Sequence, residues 1–144
     1  MPLRFVMDTN VLVSALRSRH GASNALLERH LADSRIELQV SNSLMFEYDE
    51  VLHRQQAALG LSSVEIRDVL DGLLAVARRQ EVYFSWRPAS GDPDDDFVID
   101  LAVSANARYV VTHNIRDLRV LRDHGIEAVT PAEFLRIIQA QLPT

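Results

Sequence analysis

The sequence predicts an α/β fold, a mainly parallel central sheet with helices on both faces. Two observations carry the prediction. Short apolar runs of strand type recur along the chain (LRFVM, IELQV, YVVT), and longer segments with helical spacing lie between them. Strands alternating with helices argue for a parallel sheet covered on both sides. A third observation sets the scale: 144 residues, with no internal repeat, low-complexity tract or domain boundary, are expected to form one domain over residues 1–144.

Each element has its own signal. LRFVM is short and apolar and ends at Asp8, as a buried strand does at a polar edge. Apolar residues over 10–16 predict a first helix, GASN at 21–24 interrupts it, and 25–32 reads as a second. IELQV alternates with period two, the strand signature. Ser43 is placed to cap a helix running to about residue 53. Ser62-Ser63-Val64-Glu65 has the form of a capping box, opening a long amphipathic helix on Val64, Val69, Leu70, Leu73, Leu74 and Val76 that is expected to end near Arg79. Residues 81–84 are a short strand candidate and 88–93 a loop. Residues 94–105 form a helix apolar almost all round, hence expected to be buried. YVVT at 109–112 is another buried strand. Thr130-Pro131-Ala132-Glu133 combines a cap, an N1 proline and a capping-box glutamate, and its helix carries Phe134, Leu135, Ile137 and Ile138.

Composition narrows the function classes. The chain has no cysteine, which excludes disulfides, zinc–thiolate centres and thiol nucleophiles, so a metal would be held by oxygen or imidazole. No stretch approaches the ~20 apolar residues that span a bilayer, and MPLRFVMDTN lacks the layout of a signal peptide. A cytoplasmic protein is expected, without membrane contact. The net charge of −5 runs against a grip on a polyanion, although Arg17, Arg19, His20, Arg29, His30 and Arg35 crowd the first quarter. Bound divalent cations would bring positive charge of their own.

The carboxylates concentrate where sheets of this kind bind ligands, beyond the carboxyl ends of the strands. Asp8 ends the first strand; taken alone, a helix N-cap explains it. Asn114 follows YVVT and Asp117 comes one turn later; the plain alternatives are a turn residue and a surface charge. Glu47 borders the stripe formed by Leu44, Tyr48, Val51 and Leu52, whereas Asp49 and Glu50 point away. A boundary glutamate that reaches water or an arginine is the competing account. In GDPDDDFVID, Asp94, Asp95 and Asp96 open a helix, where the macrodipole favours negative charge by about 0.3–1 kcal/mol each. Asp100 shares a face with Asp96, and a helix buried all round has no solvated side for it. Oxygen ligands converging from several strand ends suit Mg²⁺ or Mn²⁺, and ions so held can hydrolyse a phosphodiester by in-line attack.

The ordered set of segments resembles the PIN-domain family, most closely its VapC-like toxin ribonucleases. MDTNVLVSAL resembles the opening strand and helix with the first acid, Asp8; VSNSLMFEYDEVLHR the segment of the second acid, Glu47; DPDDDFVIDLAVSANARYVVTHNIRDL the third and fourth acid segments; TPAEFL the ending. Spacing back from Ala102 in the family's pattern puts the third acid at Asp95, with Asp96 as its rival. The last segment resembles the variant with Asn114 as a polar site residue and Asp117 as the fourth acid, a departure from the branch with aspartate at the former position. Thr9, Asn10, Ser41 and Thr112 would be supporting hydrogen-bonding groups, and Arg17 or Arg19 would contact phosphate. The resemblance implies an α/β/α sandwich, a homodimer, an antitoxin partner, and RNA cleavage with one or two Mg²⁺ or Mn²⁺ ions held by the four acids, the attacking water being activated by metal. Two rivals stand beside it: an inactive PIN-like binding module, and a Mg²⁺-dependent phosphatase with Asp8 as nucleophile. The five histidines lack the paired spacing of a zinc hydrolase, and His113, beside Asn114, is the one to watch.

Overall fold

A computed structural model describes residues 1–82 and 93–143, of which 93–96 are described as helix backbone alone. Leu3–Met7 forms β1, and Phe5, Val6 and Met7 are almost wholly enclosed. Burial on both faces is the environment of a central parallel strand. β1 pairs with β2 (Ile36–Val40) on one side and β4 (Tyr109–Val111) on the other. β3 (Arg78–Arg79) lies outside β2 and β5 (Glu127–Val129) outside β4. The order is therefore β3-β2-β1-β4-β5, and every pair is parallel.

Helices supply the crossovers that parallel pairing requires. α1 (Thr9–Arg17) and α2 (Ala22–Ala32) connect β1 to β2; α3 (Asn42–Arg54), a single turn α4 (Gln56–Leu59) and α5 (Ser63–Ala75) lead towards β3. α7 (Pro131–Gln141) packs against α2, and the layer centres on Phe134, whose ring lies 4.9 Å from Phe5 and 5.5 Å from Tyr109. α6 (Pro93–Ser104) leads to β4 and packs on β1, β2 and β4 beside a 3₁₀ helix (Ile115–His124) that leads to β5. Both capping boxes are formed, Ser62 with Glu65 and Thr130 with Glu133. Among the described residues no helix is long and apolar enough to cross a membrane.

Several boundaries differ from the sequence expectation. α2 begins at Ala22, directly after Gly21, and α3 is capped by Ser41 rather than Ser43. α5 stops at Ala75 because Arg78–Arg79 pairs with Gln39 and Val40 as β3. The strand expected at 81–84 is not formed at Glu81 or Val82, and its other half lies outside the described residues, as does the loop expected at 88–93 up to residue 92. α6 is not buried all round: Phe97 and Val103 are 40% and 41% exposed, and Asp100 is partly exposed. The helix covers one face of the sheet from outside, so its far side meets water whatever residues it carries.

Candidate active site

The register of the sheet creates the site. Met7 pairs with Val111, so the residues that follow, Asp8 and Thr112, leave the sheet together. The Asp8 N–H donates to the Val111 carbonyl at 2.9 Å. After β1 the chain turns towards β2, while β4 lies on the other side; this reversal of strand order opens the crevice in which α/β sheets bind ligands.

Asp8 occupies the N-cap position of α1, but its side chain caps nothing there. Its Oδ2 accepts instead from the Thr112 hydroxyl at 2.9 Å and from Asn10 Nδ2 at 3.4 Å. The Thr112 oxygen in turn accepts the Asn114 N–H at 3.0 Å and Asn10 Nδ2 at 3.5 Å, and Asn10 Oδ1 accepts the His113 N–H at 3.2 Å. Thr112 is fully buried and Asp8 is 8% exposed. A carboxylate this enclosed is tolerated because hydrogen-bond donors surround it.

α3 brings the second carboxylate. Ser41 accepts the Leu44 N–H at 3.2 Å and starts the helix, whose face of Leu44, Tyr48 and Leu52 is buried. Glu47 lies half-buried at the margin of that face, while Asp49 and Glu50 are exposed. The Tyr48 hydroxyl donates to the carbonyl of Met7, the residue before Asp8, and so ties α3 to the end of β1. Burial pushes the Tyr48 phenol well above its usual pKa, and the charges of Asp8 and then Glu47 push it further in the same direction. Asp8, Glu47, Asn10, Arg17, His113 and Asn114 all line one cavity of about 650 Å³.

The other expected site residues divide. Thr9 lines the same cavity, its buried Oγ1 making no hydrogen bond among the described residues. Arg19 is exposed beyond the end of α1 and does not line the cavity. Asp117 sits exposed in the first turn of the 3₁₀ helix, with its N–H on the Asn114 carbonyl at 3.2 Å, and its side chain is not part of the lining. Asp95 and Asp96 lie on the backbone of α6, and their side chains lie outside the described residues. Sequence reasoning placed Tyr48 in the apolar stripe and overlooked its hydroxyl, a group that, once buried, needs an acceptor.

Among the described residues no three His, Asp or Glu side chains form a metal-binding group. The donors that share the cavity lining include the carboxylates of Asp8 and Glu47, the amides of Asn10 and Asn114 and the His113 imidazole. Oxygen donors of this kind fit a hard divalent cation by type.

Fold and site together define an α/β protein with an acidic cavity at the switch point of a parallel sheet. A family model described as the PIN domain matches residues 4–116, and the chain belongs to the PIN-domain family. Solved structures share the fold. VapBC2 from Rickettsia felis, bound to a DNA fragment from its promoter, has a TM-score of 0.60 at 14% identity, over 88% of this chain and 98% of that one. VapBC-1 from nontypeable Haemophilus influenzae gives 0.58 at 16% over 90% and 98%, and PAE2754 from Pyrobaculum aerophilum 0.60 at 17% over 97% and 91%. No curated protein sequence matches the chain.

Proposed function

We propose that the protein is a divalent-metal-dependent endoribonuclease of VapC type, the toxin of a toxin–antitoxin pair. The observation that carries this reading is the meeting of Asp8 and Glu47 on one cavity, from the end of β1 and from α3, in a PIN-domain chain. Asp8, Glu47 and Asp95, with Asp96 as the alternative to the third, would hold one or two Mg²⁺ or Mn²⁺ ions. Asp117 joins them on sequence spacing. When bound, such an ion supplies charge that acidifies water and offsets the charge gathering on the phosphate.

The chain's own residues position the reaction. Thr112 and Asn10 hold the Asp8 carboxylate in one orientation, and Tyr48 fixes the helix that carries Glu47. Glu47 or Asp117 orients the attacking water; Asn114 presents a neutral polar group where a further charge would repel the phosphate. Ser41 supports these positions by starting α3, and Thr9 lines the cavity beside them. Arg17, on the cavity wall, contacts substrate phosphate, with Arg19 further out. No side chain becomes bonded to phosphorus. The fold likeness to VapBC structures supports an antitoxin as partner; a homodimer as the assembly, a cytoplasmic location and a single domain complete the proposal.

The test is incubation of labelled single-stranded RNA with Mg²⁺, Mn²⁺ or EDTA, beside Asp8→Asn. Metal-dependent cleavage that disappears in the variant is expected. An acid-stable, alkali-labile phosphate on Asp8 would instead establish the phosphatase; no cleavage and no metal binding would sink the enzyme and favour an inactive binding module.

A further inference from the structure

The 3₁₀ segment, two short pieces joined at a kink at Leu118, reads Ile115-Arg116-Asp117-Leu118-Arg119-Val120-Leu121-Arg122-Asp123-His124, a repeat of three. A 3₁₀ helix has three residues per turn, so positions three apart stack on one face. In an α-helix the same positions would drift by about 60° at each step. Leu118 and Leu121 form the buried face. Arg116, Arg119 and Arg122 form the next, all exposed, and despite a bend at Leu118 all three line one cleft of about 530 Å³. Among the described residues none of the three has an ion-pair partner. Two glutamates share the cleft, but Glu133 is engaged in the capping box through the Thr130 N–H at 3.2 Å, which leaves Glu127 as its ungathered acid.

Three neighbouring guanidinium groups repel one another and stay charged at any working pH, and their planar forks match phosphate oxygens. His113 lines both this cleft and the acidic cavity of Asp8 and Glu47, so the two adjoin. We propose that the Arg116–Arg119–Arg122 ladder is a phosphate track that holds the RNA strand on one side of the cleavage site. Arg119 and Arg122, one turn apart beyond the bend, are separated by a rise of about 6 Å, a step that suits consecutive phosphates of an extended strand. The track also places positive charge beside the site of a chain whose net charge is −5. An acidic protein segment could use the same guanidinium groups; the position of the cleft beside the acidic cavity, with His113 on both, favours the nucleic acid.

The inference rests on the ribonuclease reading, and two separate measurements divide their fates. Binding of a fluorescent single-stranded RNA to Asp8→Asn protein reads the track; cleavage by the parent protein reads the site. Changing all three arginines to glutamine in the Asp8→Asn background is expected to weaken binding at least tenfold at low salt. It should also flatten the plot of log affinity against log salt by about 0.7 per phosphate contact, roughly 2 in all. Arg67→Gln, on the exposed side of α5, is the control and should leave both unchanged. Unaltered RNA affinity and slope in the folded triple variant overturn the track while cleavage by the parent keeps the nuclease. Arginine-dependent RNA binding without cleavage keeps the track and sinks the nuclease. A polyglutamate peptide bound in place of RNA, with the same arginine dependence, overturns the RNA assignment.

Discussion

One buried hydroxyl, that of Thr112, serves three partners: it donates to Asp8 and accepts from Asn10 and from the Asn114 N–H. Thr112→Val keeps the shape and removes the hydrogen bonds. We expect a loss of about 1–3 kcal/mol in urea denaturation and a fall in cleavage rate, with Thr112→Ser retaining most of both. His30 gives a pH prediction. Burial between α2 and α5 lowers its pKa, against the opposing effect of its hydrogen bond to the Leu73 carbonyl at 3.0 Å. The unfolded imidazole, with an ordinary value near 6.5, therefore binds a proton that the folded one resists, and stability is lost as pH falls below that value. The urea midpoint should drop from pH 7.5 to pH 5, and His30→Gln should flatten the drop. Asp33 is held far below the usual carboxylate range by its hydrogen bonds to Arg35 and then Arg29. Its contribution is present above about pH 4 and is lost in stronger acid, outside the histidine window.

At the scale of elements, two helix caps separate stability from placement. Ser41→Ala and Thr130→Ala each remove a hydroxyl that accepts an N–H of the first turn, at a cost of about 0.5–2 kcal/mol each. Ser41 starts the helix that carries Glu47, whereas Thr130 starts α7. Cleavage should therefore fall in the first variant and persist in the second, measured at a temperature where both are folded. The elements read most directly from sequence are those with a local signal. β1, β2 and β4 appear as apolar or alternating runs, and the capping boxes appear as four-residue patterns. β3 is two exposed arginines that become a strand only because Gln39 and Val40 offer an edge, and β5 is three residues long. Neither has a pattern that precedes its partner. Asp8 and Glu47 were legible as a strand end and a stripe margin. The hydroxyls that position them were not, since Thr112 reaches Asp8 and Tyr48 reaches Met7 only once the sheet has formed.

For the whole molecule the governing quantity is the balance of charge around the cavity. If the acids hold a cation, the folded state binds it and the unfolded chain does not, so free metal at 100 times its dissociation constant should add about 2.7 kcal/mol. Mg²⁺ or Mn²⁺ is thus expected to raise the melting temperature of the parent protein, and Asp8→Asn or Glu47→Gln should abolish the rise. The sheet order has a consequence in time as well. Asp8 and Thr112 are neighbours across 104 positions of chain. During synthesis β2 follows β1 closely and is available on one side of it, while the other edge waits for β4. Parallel pairing over such a separation cannot form piecemeal. A chain with only β1 and β2 paired therefore carries Asp8 without the Thr112 hydroxyl that orients it, and the site is completed only when the last edge of β1 is closed.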